Sequence, residues 1–222
     1  MQHLHNLTKK LKGLRTIKIL VACEESQAVT IELRKLGHKA YSCDTEPCSG
    51  GHPGWHLQQD VVPLLKEKWD MIIAFPPCTY LTNGGAVRMY PTKGVVDKER
   101  LKKAMVAKEF FMLFYNNDCP KIVIENPMPM TIIGLPTKTQ VIQPYEYGDP
   151  YSKRTYLWIK GLPDLIPTNI LIKYQPFING GGGRLNKPNY KGKEFAGGAK
   201  GRSKTFPGIA KAMAEQWTRK EG

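Results

Sequence analysis

Segments of strand type alternate with segments of helical period along the chain. Strands are predicted at residues 17–22, 39–43, 71–75, 121–124 and 155–159, because each is a short, largely apolar run bounded by polar or turn-forming residues. The first two strands and the segment between them have the pattern of a β-α-β unit, which implies parallel strands. The pattern predicts an α/β fold in which helices flank a mostly parallel sheet.

Apolar residues at helical spacing predict three helices. The first follows Ser26, which is the predicted N-cap, and ends at Gly37. The second covers residues 98–115 and the third residues 207–219.

Composition divides the chain into four parts. Residues 1–16 form a basic N-terminal arm, and residues 17–160 carry the strands and helices of the main domain. Residues 161–200 are rich in proline, glycine and basic residues, which predicts an irregular region able to follow a phosphate backbone or to form a surface loop. Residues 201–222 contain the last helix, which we expect to pack back on the main domain.

Two predicted strands end in a polar side chain next to proline. Pro76 and Pro77 cannot donate to a sheet ladder, so the strand stops there and leaves Cys78 on a stiff loop. Glu125 follows the next buried strand and precedes Pro127 by two residues. Because ligands bind at the carboxyl ends of parallel strands, a thiol and a carboxyl group are expected to face one cleft.

Each of these residues also has a structural interpretation. A lone cysteine is most often a buried apolar filler, and Glu125 could cap a turn. A thiolate is nonetheless a strong nucleophile, and a partly desolvated carboxyl group has a raised pKa and can donate a proton. The repetition of the same pattern at two strand ends favours the catalytic interpretation.

Acidic residues follow the second strand. Asp44 has the position at which nucleotide-binding folds often hold a ribose hydroxyl, and Asp60 could contact an adenine, although either could be an exposed turn residue. The nearby Cys43, Cys48, His52 and His56 resemble zinc ligands in type, but no second cysteine pair or helical histidine pair accompanies them, so no metal is predicted.

The charge of the chain indicates a polyanionic partner. Its 222 residues include 33 Lys and Arg against 19 Asp and Glu, a formal net charge of +14. Nucleic acid would account for this excess, and the alternative is a contribution to solubility alone. Five cysteines, an odd number, favour reduced thiols, and no apolar run has the length of a membrane span. We therefore expect a cytoplasmic protein with no membrane partner.

Four segments in this order resemble the motifs of the DNA cytosine-5 methyltransferases, in particular the compact members found in phage and prophage genomes. Pro76-Pro77-Cys78 is similar to the catalytic Pro-Pro-Cys loop, and Glu125-Asn126-Pro127 to the Glu-Asn-Val motif. The segment from Tyr147 to Arg154 is similar to the motif Tyr-Gly-x-Pro-Gln-x-Arg-x-Arg, and Gly201-Arg202-Ser203 to the late Gly-Asn-Ser/Ala motif. The resemblance covers residues 17–217.

The resemblance implies a Rossmann-like, S-adenosylmethionine-dependent methyltransferase domain that modifies cytosine in duplex or single-stranded DNA. In that chemistry Cys78 adds to carbon 6 of the base while Glu125 protonates nitrogen 3. Arg154 would favour the thiolate or hold the base, and Asn126 would fix the loop that carries Glu125. The implied cofactor-binding residues are Cys23, Glu24, Ser26, Asp44, Asp60, Pro76 and Ser203. The implied DNA-binding residues are Lys153, Arg184, Arg202 and Lys204.

Departures from the family pattern keep two alternatives open. The short region at residues 161–200 would also suit a free cytosine nucleotide, which needs the same addition at carbon 6 but no reader of a DNA groove. The first loop, from Ala22 to Ser26, contains no glycine, which favours a DNA-binding relative without activity. Tyr156 replaces the second arginine of the Arg-x-Arg pair.

Overall fold

A seven-stranded sheet with helices on both faces forms the protein. The structure is a computed structural model that describes residues 16–177 and 204–219. The strands of the sheet are β1 (Lys18–Ala22), β2 (Lys39–Asp44), β3 (His56–Gln58), β4 (Met71–Ala74), β5 (Ile122–Pro127), β6 (Gln140–Ile142) and β8 (Thr155–Lys160). A separate parallel pair consists of β7 (Tyr151–Ser152) and β9 (Gln175–Pro176). The helices are α1 (Ala28–Lys35), α2 (Ala86–Met89), α3 (Lys98–Tyr115) and α4 (Pro207–Trp217).

The strand order is β3-β2-β1-β4-β5-β8-β6. Neighbouring strands from β3 to β5 are parallel, whereas β8 runs antiparallel to both β5 and β6. The chain therefore has the predicted α/β, Rossmann-like fold with a mostly parallel sheet. Because β3, β2, β1, β4 and β5 are adjacent and parallel, their carboxyl ends form one continuous edge of the sheet.

Alternate residues of the strands cover the two faces of the sheet. Ile19 and Val21 of β1 pack on one face with α1 and α4, and Leu20 and Ala22 pack on the other with α3. All four are fully buried. Burial of a large aliphatic side chain contributes about 1.5–3 kcal/mol, so this double-sided core holds β1 at the centre of the sheet. No helix in the described ranges has the length and apolar character needed to cross a membrane.

The strand that carries Glu125 is longer than the sequence predicts. The register pairs Ala74, the last residue of β4, with Ile124, but β5 continues to Pro127. Its last three residues pair with β8 on the other side, with Glu125 opposite Leu157. The prediction that the strand ends at residue 124 was wrong because an antiparallel neighbour sustains it.

The start of α1 also differs from the prediction. Ser26 is not the N-cap: Gln27 holds that position with φ 58°, and its side chain does not cap the helix. The Glu24 carboxylate instead accepts hydrogen bonds from the backbone N–H groups of Val29 at 2.6 Å and Thr30 at 3.3 Å. A carboxylate at this end of a helix satisfies free donors and complements the helix dipole.

Helix α4 is attached to the segment that contains the Tyr-Gly-x-Pro sequence. The Gly208 N–H donates to the Asp149 carboxylate at 2.9 Å, and burial raises the pKa of that carboxyl group. A Cβ atom on Gly208 would overlap the carbonyl oxygen of Tyr147. Backbone therefore meets backbone at this contact, and only glycine leaves enough room.

We expect Gly208→Ala to lower the free energy of unfolding by about 1–3 kcal/mol, the usual cost of inserting a methyl group into a packed contact. Urea denaturation followed by circular dichroism measures this change. Gly54→Ala is the matched control, because a Cβ atom at Gly54 meets no heavy atom within 4 Å. Equal stability of the two variants would contradict the close approach of α4.

Candidate active site

The loop after β4 holds Cys78 in a fixed position. The carbonyl oxygen of Cys78 accepts hydrogen bonds from the N–H groups of Leu81 at 3.0 Å and Thr82 at 2.9 Å. Leu81 in turn accepts from the Met130 N–H at 2.8 Å. These bonds tie the loop to the segment after β5. Cys78 itself is a free, partly buried thiol.

Asn126 joins the two strand ends. Its side chain is fully buried, and its amide nitrogen donates to the carbonyl oxygen of Pro76 at 3.2 Å. Its side-chain oxygen is buried and has no hydrogen-bond partner in the described part of the chain. Because Asn126 lies beside Glu125 on β5, this bond fixes the spacing between the strand that carries the acid and the loop that carries the thiol.

Cys78, Glu125 and Lys153 influence one another electrostatically. Burial raises the pKa of the Cys78 thiol, the Glu125 carboxylate raises it further, and the Lys153 ammonium opposes both effects. Burial likewise raises the pKa of Glu125, and Lys153 again acts in the opposite direction. The resting site therefore favours a neutral thiol and a carboxyl group that holds its proton more tightly than usual.

Lys153 is the cation that acts on this pair. The resemblance assigns this role to Arg154, but Arg154 is exposed at the start of β8, whereas its neighbour Lys153 is partly buried. For Lys153 the resemblance implies a DNA-binding role. Only the folded arrangement reveals that the lysine lies within electrostatic reach of the thiol and the acid, because nothing in a Lys-Arg pair shows which side chain faces inward.

Three predicted cofactor residues come together where β1, β2 and β3 end. The pKa of the Cys23 thiol is strongly raised by burial and, to a lesser degree, by the carboxylates of Asp44 and Asp60. Asp44 also accepts the N–H of Glu46 at 3.0 Å, and Asp60 accepts that of Val62 at 3.0 Å. Both carboxylates keep free acceptor capacity, since a carboxylate accepts about four hydrogen bonds.

The first loop adopts glycine-like conformations without glycine. Cys23 and Gln27 both have φ 58°, which costs an ordinary residue about 1–2 kcal/mol. Gln27 is held by two hydrogen bonds to the backbone of His52, at 2.9 and 3.0 Å. A Cβ atom on Gly50 would lie 2.6 Å from that of Gln27, so residues 49–52 pack tightly on the loop. These contacts stabilise the left-handed backbone of the loop.

Glu25 is a further acidic residue of the first loop, and no motif in the sequence identifies it as a site residue. Both of its carboxylate oxygens are buried and have no hydrogen-bond partner among the described residues. Its carbonyl oxygen accepts the Ser49 N–H at 2.8 Å. The adjacent Glu24, which was predicted to bind the cofactor, has its carboxylate occupied at the start of α1 and a pKa raised to about 7 by burial. The two acids differ in whether their side-chain oxygens have hydrogen-bond partners, which depends on the folded structure. No pattern in the sequence therefore identifies Glu25 as a site residue.

The remaining predicted residues are dispersed or undescribed. Pro76 is buried at the end of β4, and Ser26 is partly buried in the first loop. Lys204 donates to the Ser49 hydroxyl at 3.1 Å, which places it beside the first loop. Arg184, Arg202 and Ser203 lie outside the described residues.

The histidines near β3 have structural contacts. His56 lies between the Ser42 hydroxyl and the Glu46 carbonyl oxygen, each at 2.9 Å, and His52 stacks on Trp55. Within residues 16–177 and 204–219, no group of three or more His, Cys, Asp or Glu side chains is arranged to hold a metal ion.

Comparisons with solved structures find methyltransferases at low similarity. The chain is similar to magnesium protoporphyrin IX methyltransferase (ChlM) from Synechocystis with bound S-adenosylmethionine, at 11% identity and a TM-score of 0.39, over 71% of this chain and 79% of that one. It is similar to the Entamoeba histolytica methyltransferase EhMeth at 12% identity and a TM-score of 0.45, over 71% of this chain and 58% of that one.

A third similar structure is a mutant of MtNAS in complex with S-adenosylmethionine, at 9% identity and a TM-score of 0.35, over 73% of this chain and 61% of that one. The chain thus spans less than two thirds of the second and third proteins. No protein-family model matches the sequence, and a search of curated proteins finds no match.

The charges around Cys78 predict opposite effects of two substitutions. Lys153→Met should raise the pKa of the thiol and slow its alkylation, and Glu125→Gln should lower the pKa and speed alkylation. Each unit of pKa changes the thiolate fraction about tenfold below the pKa. The measurement is the iodoacetamide rate of the Cys78 peptide, followed by mass spectrometry over a pH series.

Arg154→Met is the matched control, because it removes an exposed cation next in sequence. It should leave the Cys78 rate near that of the unmodified protein. If Arg154→Met and Lys153→Met slowed alkylation equally, the assignment of Lys153 as the acting cation would be overturned.

Proposed function

We propose that the protein transfers a methyl group from S-adenosylmethionine to carbon 5 of cytosine in DNA, as a compact relative of the DNA cytosine-5 methyltransferases. The observation that carries the proposal is the position of Cys78 and Glu125 at two neighbouring strand ends, which the Asn126 side chain joins through the carbonyl oxygen of Pro76. A nucleophile and an acid in one cleft are what addition to a pyrimidine ring requires.

The polar groups along the carboxyl edge of the sheet fit S-adenosylmethionine. Asp44 can accept the two ribose hydroxyls, and Asp60 can accept the adenine amino group. The unpartnered Glu25 carboxylate fits the ammonium group of the methionine portion, since a buried carboxylate is stable only when it is paired or protonated. When bound, S-adenosylmethionine supplies an electrophilic methyl group.

The chemistry begins with proton transfer. Glu125, whose pKa is raised by burial, donates its proton to nitrogen 3 of cytosine. The ring becomes electron-poor at carbon 6, and the Cys78 thiolate forms a bond to that carbon. The thiol proton is lost to solvent, and Lys153 stabilises the thiolate before the addition and offsets the negative charge that Glu125 gains when it gives up its proton.

The addition makes carbon 5 nucleophilic. The electrons of the former double bond between carbons 5 and 6 shift to carbon 5, which would take the methyl group as the methyl–sulfonium bond breaks and S-adenosylhomocysteine leaves. Loss of the carbon 5 proton to a base then restores the double bond and breaks the bond to sulfur, so that Cys78 leaves as a thiolate. Nitrogen 3 returns its proton to Glu125. In balance, a methyl group replaces one proton of the base.

DNA as the acceptor is supported by charge. The net charge of +14 suits a polyanion, and phosphate contacts could offset the few kcal/mol needed to take a base out of a duplex. A free cytosine nucleotide, the alternative acceptor, would leave most of that charge without a partner.

The experiment supplies duplex DNA, single-stranded DNA or deoxycytidine monophosphate, each tritiated at carbon 5 of cytosine, together with S-adenosylmethionine. The expected result is release of tritium to water from DNA, because methylation at carbon 5 expels that hydrogen. Cys78→Ala and Glu125→Gln should each reduce the rate by at least about a hundredfold, since both remove a group used in the transition state.

Lys102→Ala, a change on an exposed part of α3, is the control that should retain activity. Methyl transfer without release of tritium would indicate an amino-group acceptor and contradict the proposal. Release from the nucleotide alone would assign the alternative acceptor, and full activity of Cys78→Ala would exclude covalent chemistry.

A further inference from the structure

An apolar groove lies between the Cys78 loop and α3. Its volume is about 400 Å³, and its lining residues are Pro77, Tyr80, Lys103, Val106, Ala107 and Phe110. Val106 is 61% exposed although its side chain is apolar. The lining does not include Cys78 or Glu125, and the proposed chemistry uses none of the lining side chains.

The groove is rigidly connected to the loop that carries the thiol. The Arg100 guanidinium donates to the carbonyl oxygen of Thr79 at 3.0 Å, and the Asp97 carboxylate holds the Arg100 N–H at the start of α3. Pro77 and Tyr80 lie one residue before and two residues after Cys78. Pro77 lines the groove and is the sequence neighbour of Cys78. Since consecutive Cα atoms are about 3.8 Å apart, the backbone at this end of the groove lies within one nucleotide spacing of the Cys78 backbone.

Cations surround the aromatic part of the groove. Arg100 lies 5.1 Å and Lys103 6.0 Å from the centre of the Tyr80 ring. Lys98 adds an exposed positive charge at the same end of α3, where Asp97 and Glu99 are the acidic residues. An apolar floor with a cationic rim complements a nucleobase attached to a phosphate.

We propose that this groove seats the base next to the target cytosine in a DNA strand, with that base against Tyr80 and Pro77 and its phosphate near Lys103. The inference rests on the proposed function and goes further, because it makes the acceptor a polynucleotide. A free nucleotide has no neighbouring base, and a groove one nucleotide away from the thiol would serve no purpose for it.

The test is equilibrium binding of a fluorescein-labelled single-stranded DNA of mixed sequence, measured by anisotropy without cofactor. Tyr80→Ala should weaken binding roughly tenfold, within the range that loss of one stacked base produces, and Tyr80→Phe should restore it. Lys103→Ala should lower the slope of log affinity against log salt by about 0.7, the value for one phosphate contact in a single strand.

Lys102→Ala is the matched control for surface charge, because Lys102 is the adjacent exposed lysine but does not line the groove. Tyr80→Ala should lower DNA affinity by the same factor in the Lys102→Ala background as in the unmodified protein. The proposal is overturned if Tyr80→Ala binds within twofold of the unmodified protein, or if Lys103→Ala and Lys102→Ala lower the salt slope equally. Either result would leave the groove to a ligand other than DNA.

Cys78→Ala separates this inference from the proposed chemistry. If the groove variants weaken DNA binding in a Cys78→Ala background as well, the groove is a DNA subsite whatever reaction follows. If tritium is released from DNA but the groove variants bind as the control does, the proposed methyl transfer is supported and the proposed DNA subsite is overturned.

Discussion

The hydrogen bond from Asn126 to the carbonyl oxygen of Pro76 is the contact on which the site depends. β4 ends at Ala74, and the two prolines that follow soon after cannot donate backbone hydrogen bonds to a neighbour. β5 continues for three residues past that point because β8 supports its other side. The Asn126 side chain takes the place of the missing ladder bond and fixes the distance between thiol and acid.

Burial explains the electrostatic state of the site. The same desolvation raises the pKa of Cys78 and of Glu125, although one must act as a nucleophile and the other as an acid. A raised pKa suits the acid and opposes formation of the thiolate. Lys153 counters the penalty on the thiol and also offsets the negative charge that Glu125 gains when it gives its proton to a substrate. The addition is favoured when a base accepts that proton, because protonation of nitrogen 3 makes carbon 6 electron-poor.

Much of the fold follows from local pattern. The apolar runs before Pro76 and Glu125 are strands, and they are neighbours, because buried β-α-β units admit few other arrangements. What the sequence could not show depends on contacts between distant residues. The cap of α1 comes from Glu24 and not from Ser26, since the choice depends on the left-handed backbone at Gln27, which residues 49–52 stabilise. The inward position of Lys153 relative to Arg154 depends likewise on the antiparallel strand β8.

The packing of α4 on α1 has a consequence for biosynthesis. Ile209, Met213 and Trp217 cover the face of the central strand that α1 only partly shields, yet they lie at the opposite end of the described chain from β1. During translation that face stays uncovered until the ribosome has produced nearly all the described residues, so folding is governed by a contact of very long sequence separation. Until then the apolar face of β1 lacks the side chains of α4 that cover it, and a growing chain with such a face exposed is prone to associate with other chains.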